Sequence, residues 1–344
     1  MTKARRDWVT TGSCGEWLLL VSFLNARHQR GRGKYCLPKL YLRDLSERDK
    51  LWDKHRKNTD KIADIYSNAD HSNYAERLGG CSGLLLFGST PVDESGLQKI
   101  KLRSASFCRV RHCPVCFWRR SLTWKARVGK VLPIIEKDYP KIRWLHLTLA
   151  IRNCAISDLK ENIQLMNAAW KRLSLTKKFP AIGYFKALEV TRGEDGSAHP
   201  HFHILLMVEP KYFAGTYYIS QKEWIIMWKK VLKVDYDPTA HVQAVKVLGE
   251  NGTISDAVKE VVKYTVKPDD LIAEDKWLIE LTKQLHKTRA ISLGGVLKQY
   301  LSEDDATNKE LLMGDDSITS LDQLVDPHFM ANWDKSDSRY VIKD

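Results

Sequence analysis

Three groups of side chains in this sequence have the types and spacing to do chemistry. His199-Pro-His-Phe-His203 sets three imidazoles at alternate positions and runs, with no turn residue between, into the apolar Ile204-Leu-Leu-Met-Val208. Alternate residues of a strand share a face, so His199, His201 and His203 point one way and Pro200, Phe202 and Ile204 the other. Imidazoles side by side on a rigid strand can grip a divalent metal. For one histidine, satisfaction by hydrogen bonds within the sheet is the plainer reading; three on one face beside a buried run favour a metal site. The second group has the spacing C-x26-C-x4-C-x2-C, at Cys81, Cys108, Cys113 and Cys116. A Cys-Pro-x-Cys knuckle turns tightly enough to aim two thiolates at one tetrahedral ion, and with Cys81 and Cys108 it makes a four-thiolate structural zinc site. His112 is the alternative ligand; a redox pair or plain buried thiols are the competing readings. The third group lies on a helix expected from Ser255 to Pro268. Val258, Val261, Val262 and Thr265 face inward there, and Glu260, Lys263, Tyr264 and Lys267 fall on the opposite side. Taken alone, that helix reads as carrying a structural tyrosine.

The 344 residues are 43% hydrophobic with a formal net charge of +13, which describes a globular chain with a polyanionic partner, nucleic acid before membrane. Residues 302–344 hold eleven acidic and four basic side chains, so the remainder carries +20. The basic body is the expected binding surface, and the acidic tail reads as a solvated extension. No apolar run reaches the ~18 residues of a membrane span. Trp17–Leu24 is too short, and its polar flanks argue against a signal peptide. Seven cysteines, an odd number with one Cys-x-x-Cys pair, point to metal or free thiols in a reducing, cytoplasmic setting. Cys14, Cys36 and Cys154 have no evident partner. There is no G-x-x-x-x-G-K-[ST] loop, so no nucleotide cofactor is expected.

The elements that must position these groups follow from pattern. Residues 1–75 form a basic N-terminal region with a two-sign charged helix near Leu45–Lys57, for which a solvated face is the bland reading. Residues 76–137 form the Cys-rich module and a basic helix from Phe117 to about Lys137. Arg119, Arg120, Lys125 and Arg127 on that helix, with Arg109 and Arg111 in the knuckle, are candidate DNA contacts; a solvated basic face is the alternative. Residues 138–270 read as β-α-β-β-α-β. Arg143–Ile151 alternates strictly, with His146 and Thr148 on one face. Ser157 is the expected cap of a helix with apolar Leu159, Ile163, Met166, Trp170 and Leu173. Gly183–Thr191 and the histidine strand form a hairpin. Ser220-Gln-Lys-Glu223 is a capping box, and a strand from about Ala240 to Leu248 closes the unit. The fold class is α+β, a split βαββαβ (ferredoxin/RRM-like) antiparallel sheet preceded by a small zinc module. Two helices cover one face, and the histidines lie on the other, which is left open. Residues 271–344 form a C-terminal region ending in the acidic tail.

A basic body, a metal site and a tyrosine flanked by lysines together favour transesterification. Ammonium groups favour the phenolate over the phenol of pKa ~10, and a metal can polarise a phosphodiester oxygen. Tyr264 would attack a DNA phosphate, hold the 5′-phosphate as a covalent ester and free a 3′-OH. The ester conserves the bond energy, so rejoining needs no ATP.

At this point the sequence resembles the plasmid rolling-circle replication initiators (Rep proteins) of the HUH endonuclease superfamily. The resemblance covers roughly Cys81 to Asp270 and, more weakly, Asp49–Arg56. Leu145-His-Leu-Thr-Leu149 is similar to the family's first motif, His199–His203 to its second and Glu260-Val-Val-Lys-Tyr-Thr-Val-Lys267 to its third, in that order. The resemblance implies His201 and His203 as paired metal ligands, Mg²⁺ or Mn²⁺ as the metal, and Tyr264 as the nicking nucleophile. In the subgroup with one tyrosine and a glutamate four residues earlier, it implies Glu260 as the group that helps water release the DNA. It implies origin DNA as substrate, single-stranded or in a hairpin at the nick, and a host helicase and polymerase as partners. A third metal ligand is expected on a neighbouring strand. Folding the hairpin about its seven-residue loop sets Glu189 opposite His201, with His199 as rival; a one-residue slip would turn Glu189 away. The alternatives are an HUH-type transposase or relaxase, and a non-catalytic zinc protein that binds DNA.

Overall fold

The protein is described from a computed structural model, covering residues 39–89, 100–245, 266–301 and 325–343. Helices α1 (Lys50–Asn68) and α2 (Ser72–Gly79) precede strands β1 (Leu84–Ser89) and β2 (Ile100–Ala105). A long helix, α3 (Pro114–Asp138), leads to β3 (Arg143–Ala150) and α4 (Leu159–Ser174). The hairpin β4 (Ala181–Arg192) and β5 (Ala198–Val208) follows, then α5 (Gln221–Leu232) and β6 (Ala240–Ala244). Beyond it come α6 (Pro268–Ile272), α7 (Asp275–Gln284), β7 (Ile291–Gly295), β8 (Val325–Asp334) and β9 (Arg339–Lys343).

The expected split unit is present. Its four strands pair antiparallel in the order β6-β3-β5-β4. One face is covered by α4 and α5, as their apolar spacing requires: Ile163, Met166, Trp170 and Leu173 meet Trp224, Trp228 and Leu232 over Leu147, Phe202 and Ile204. Trp224 and Trp228 are fully buried, and truncating either would cost about 3–5 kcal/mol. The capping box opens α5 as predicted, Ser220 accepting from the Glu223 N–H while Glu223 accepts from Ser220.

Four expectations change. The sheet has a fifth strand, β7, on the outer edge of β4. Its Gly294 lies where any Cβ would run into the Tyr184 ring, and Gly295 adopts φ +58°. Ser157 does not cap α4: it sits in a 3-10 turn, Ile156–Asp158, and its hydroxyl donates to Asp158 instead. The second face of the sheet is only half open. Trp124, Val128 and Ile135 of α3 pack with Trp144, Phe185, Leu205, Met207 and Leu293, Trp124 meeting Phe185 edge-on at 5.2 Å.

The fourth change concerns the chain's ends. Strands β1 and β2 join β8 and β9 in a second antiparallel sheet, order β2-β1-β8-β9. Residues 325–343 of the acidic tail are therefore not a solvated extension; Phe329, Ala331, Tyr340 and Ile342 are buried core. Helix α1 binds this sheet to the rest. Its Trp52 packs edge-on against Trp118 of α3, its Asp53 accepts from the Tyr340 N–H, and its Asp60 accepts from the Trp333 indole. The two-sign charged stretch is thus an interior helix with one buried side, not a solvated face.

Candidate functional site

The β4–β5 hairpin closes with Arg192 opposite Ala198, two residues tighter than expected but about the same centre. Glu189 therefore falls opposite His201, in the register read from the loop. Glu189 Oε2 lies 2.8 Å from His203 Nε2 and 3.3 Å from His201 Nε2. One ligand atom from each of the three lies within 4.8 Å of the others. His199 does not join them; its ring is tilted against that of His201, and its carbonyl takes the His201 Nδ1. The site sits on the histidine face beyond the end of the α3 contact, with Glu189 and His201 buried and His203 half-buried.

Hydrogen bonding decides which nitrogens are available. A carbonyl can only accept, so the 3.2 Å contact to His199 O places a proton on His201 Nδ1 and turns Nε2 toward Glu189. Thr148 Oγ1, from β3, lies 3.4 Å from His203 Nδ1 and leaves Nε2 of that ring toward Glu189 as well. Burial would raise the Glu189 carboxyl, but hydrogen bonds and charge from the two histidines hold it down at about 2. One carboxylate oxygen within 3.3 Å of two imidazole Nε2 atoms is a donor set that fits a divalent metal, which would take the place of the protons between them. His146, also on β3, backs the site by stacking on His203 at 5.5 Å, nearly parallel. Strand alternation puts Thr148 and His146 on one face of β3; the pairing of β3 with β5 makes it the histidine face and brings both against His203.

The four cysteines converge at the start of α3. Sulfur–sulfur separations are 3.6 Å for Cys81–Cys116, Cys108–Cys116 and Cys81–Cys113. A tetrahedron of thiolates at a Zn–S distance of ~2.3 Å has edges of about 3.8 Å, so this cage fits zinc. Main-chain N–H groups of Arg109, Val110 and Cys116 donate to Cys116, Cys108 and Cys113 sulfurs, and Thr59 of α1 lies against Cys113. Arg109 adopts φ +55° to make this turn. The Cys113 thiol is buried, which opposes ionisation, yet the neighbouring thiols hold it well below its ordinary value. His112 is buried outside the cage and is not a fifth ligand.

A family model described as replication protein matches residues 99–341. The chain belongs to the replication protein family. It is 34% identical over 284 residues to Protein rep of Lactiplantibacillus plantarum, spanning 78% of this chain and 88% of that one. Protein rep of Streptococcus pneumoniae serotype 2 is 31% identical over 306 residues, 86% of this chain and 93% of its own. A Replication protein of Staphylococcus aureus is 35% identical over 229 residues, 62% of this chain and 97% of its own. No solved structure matches.

The matched span runs from just before β2 into β9, so it takes in the five-stranded sheet, the second sheet apart from β1, and both clusters except Cys81. The basic residues read as DNA contacts divide in two. Arg111 donates from Nη1 to the carbonyls of Leu285 and Thr288, and burial with Arg120 nearby pushes it down to about 10. Arg119 is buried over the Trp52 and Trp118 rings at 5.2 and 5.4 Å. Both are packing residues, contrary to expectation: their guanidinium groups bind the protein itself. Arg109 is exposed and Arg120, Lys125 and Arg127 are half-buried, Arg127 with its guanidinium over the Trp124 ring at 5.3 Å. Glu260, Lys263 and Tyr264, with Cys14 and Cys36, lie outside the described residues. Lys267 begins α6 at its N-cap. The segment it opens is docked on the hairpin tip, where Asp270 accepts from the Arg192 N–H, Glu274 from the Arg192 guanidinium, and Gly196 O from the Trp277 indole. No helix among the described residues is long and apolar enough to cross a membrane.

Proposed function

We propose that this protein is a plasmid replication initiator of the HUH type, a site-specific single-strand DNA endonuclease that nicks a double-strand origin and leaves a 3′-OH primer for rolling-circle replication. The observation that carries the reading is the convergence of Glu189, His201 and His203 on the face of the sheet that α3 leaves uncovered, in a member of the replication protein family. A Mg²⁺ or Mn²⁺ ion held by these three would polarise a non-bridging oxygen of the scissile phosphate. Two imidazoles and a carboxylate hold Mn²⁺ at least as well as Mg²⁺.

The chain's own groups do the rest. Tyr264 gives up its phenol proton to solvent water, and the ammonium groups of Lys263 and Lys267 stabilise the phenolate. Its Oη forms the new bond to phosphorus while the bond to O3′ breaks. The leaving oxygen takes the electron pair and then a proton, giving the 3′-OH, and the 5′-phosphate stays on the tyrosine. At termination Glu260 accepts a proton from the water that releases the strand. The four-cysteine cage holds a structural zinc, and Arg109, Arg120, Lys125 and Arg127 contact the DNA backbone. Host helicase and polymerase extend the primer.

The test is mass spectrometry of the protein incubated with a single-stranded origin oligonucleotide and Mn²⁺. A 5′-phosphotyrosine adduct at Tyr264 is expected, absent in Tyr264→Phe and formed but slow to resolve in Glu260→Ala. A wild-type chain that binds the oligonucleotide but never cleaves it, whichever divalent metal is supplied, would leave the non-catalytic zinc protein as the reading.

A further inference from the structure

We infer that the edge strand β6 reads the bases next to the nick, through His241 and Gln243. The inference rests on the nuclease reading above and names a specificity surface for that site. Its starting point is the cross-strand register. Thr148 pairs with His203 on one side and with His241 on the other, and His146 pairs with Leu205 and Gln243. Directly paired residues project to the same face. His241 and Gln243 therefore share the face of Glu189, His201 and His203, and form a continuous polar row with Thr148 and His146.

The two flanks of the metal site differ. Toward β4 and β7 the face is closed, because Phe185, Ala187 and Leu293 are buried in the cluster under α3. Toward β6, His241 and Gln243 are exposed. Among the described residues, a DNA strand with its phosphate on the triad thus finds the β4 and β7 side closed and a polar route over β3 and β6. Two strand spacings separate His241 from His203, about 10 Å, which brings the nucleotides beside the scissile phosphate over β6.

The residue types suit bases rather than backbone. Gln243 Nε2 lies 3.4 Å from His241 Nε2, so the two present a joined set of donors and acceptors. Amide and imidazole groups read the exposed edges of unpaired bases, whereas phosphates are met by cations. Edge strands that need only avoid stray pairing carry lysine, proline or other charges, and β6 has none of these at its two face positions. A cation stands at the end of the neighbouring strand instead, where exposed Arg152 lies over the Tyr236 ring at 4.8 Å.

The experiment compares Tyr264→Phe with the same protein also carrying H241A and Q243A, so that cleavage plays no part. Fluorescence anisotropy gives Kd in Mg²⁺ for an origin oligonucleotide and for a set with each base flanking the nick changed singly. The parent is expected to lose about tenfold in affinity at one or two of these positions. The double variant is expected to bind the best oligonucleotide about tenfold more weakly and to lose that discrimination, with Mn²⁺ affinity and melting temperature unchanged. A parent without base preference there, unchanged discrimination in the variant, or an equal loss on every sequence would overturn the inference. Absence of a covalent adduct from the wild-type chain would instead overturn the nuclease reading, a result read in a separate assay.

Discussion

Four thiol ligands and a Glu-His-His triad lie in one chain, and their surroundings are opposite. Cys81, Cys113 and Cys116 are buried, and main-chain N–H groups approach their sulfurs from the knuckle itself. The cage is also where α1, α3 and the second sheet meet: Thr59 touches Cys113, and Ser82, one residue after Cys81, accepts at its carbonyl from the Tyr340 hydroxyl. Glu189, His201 and His203 instead lie on the stems of two paired strands that are already held by the α4–α5 core. Closed four-ligand sites contribute folding energy; sites with fewer protein ligands keep positions for a substrate. The first cluster is therefore expected to govern whether the protein folds, and the second what it does.

The largest effect tests the first half. Cys113→Ser removes a fully buried thiolate from the cage. Structural zinc contributes on the order of 10 kcal/mol, comparable to the whole stability of a domain. Elemental analysis is expected to find zinc in the wild-type chain and none in the variant, which also loses its cooperative thermal transition. A variant that binds no zinc yet melts at the wild-type temperature would show that the cage does not support the fold.

His203→Ala tests the other half. The ring is half-buried on a strand whose opposite face is packed, so melting should shift by only a few degrees. Nicking should fall by about 10³-fold, the several kcal/mol a metal supplies to a phosphoryl transition state. Collapse of the fold with the activity would erase the distinction between the two clusters. A finer probe is Thr148→Val, which keeps the shape and removes the hydroxyl at His203 Nδ1. Outer-shell changes of this kind cost about tenfold or more in metal affinity. Titration with Mn²⁺ followed by electron paramagnetic resonance reads that loss, and an unchanged affinity would mean that the stack against His146 alone orients the ring.

The clusters also differ in how far the sequence reveals them. Each is local in part: Cys108–Cys116 and His199–His203 are short motifs, and the hairpin loop gives the register that brings in Glu189 because both strands leave it at a known centre. What packs around them is not local. The sheet beside the cage joins Leu84–Ala105 to Val325–Lys343, a pairing across more than two hundred residues that no periodicity encodes, and the acidic residues around it read as solvated. Val128 and Ile135 recur at helical spacing on α3, but nothing in the sequence names their target, the half of the histidine face around Phe185 and Trp144. Arg111 and Arg119 read as DNA contacts for the same reason: charge is visible in a sequence, whereas the carbonyls and indole rings that occupy it are not. Strand β7 escaped because two of its five residues are glycines, required by the Tyr184 ring and by a positive φ.

The smallest effect concerns the face that the triad does not use. Lys186 points from β4 into the packed side, its ammonium 3.7 Å from the Phe202 ring centre and donating to Asn167. Burial pushes it down to about 7. A lysine whose folded value lies below its unfolded one favours the unfolded state while it must be charged. That cost is fully present below about pH 7 and is relieved as pH rises toward the unfolded value of ~10.5, so stability should climb across that window. Lys186→Met keeps the length of the side chain and removes the charge, and Asn167 is exposed, so its amide turns to water. The variant is expected to be more stable near pH 7 by about 1–2 kcal/mol and to lose the rise above it. Thermal melts from pH 7 to 10 decide the matter. A destabilised variant would assign the ammonium a net favourable role over Phe202, the residue between the two histidine ligands, and would tie the packed face to the chemistry on the other.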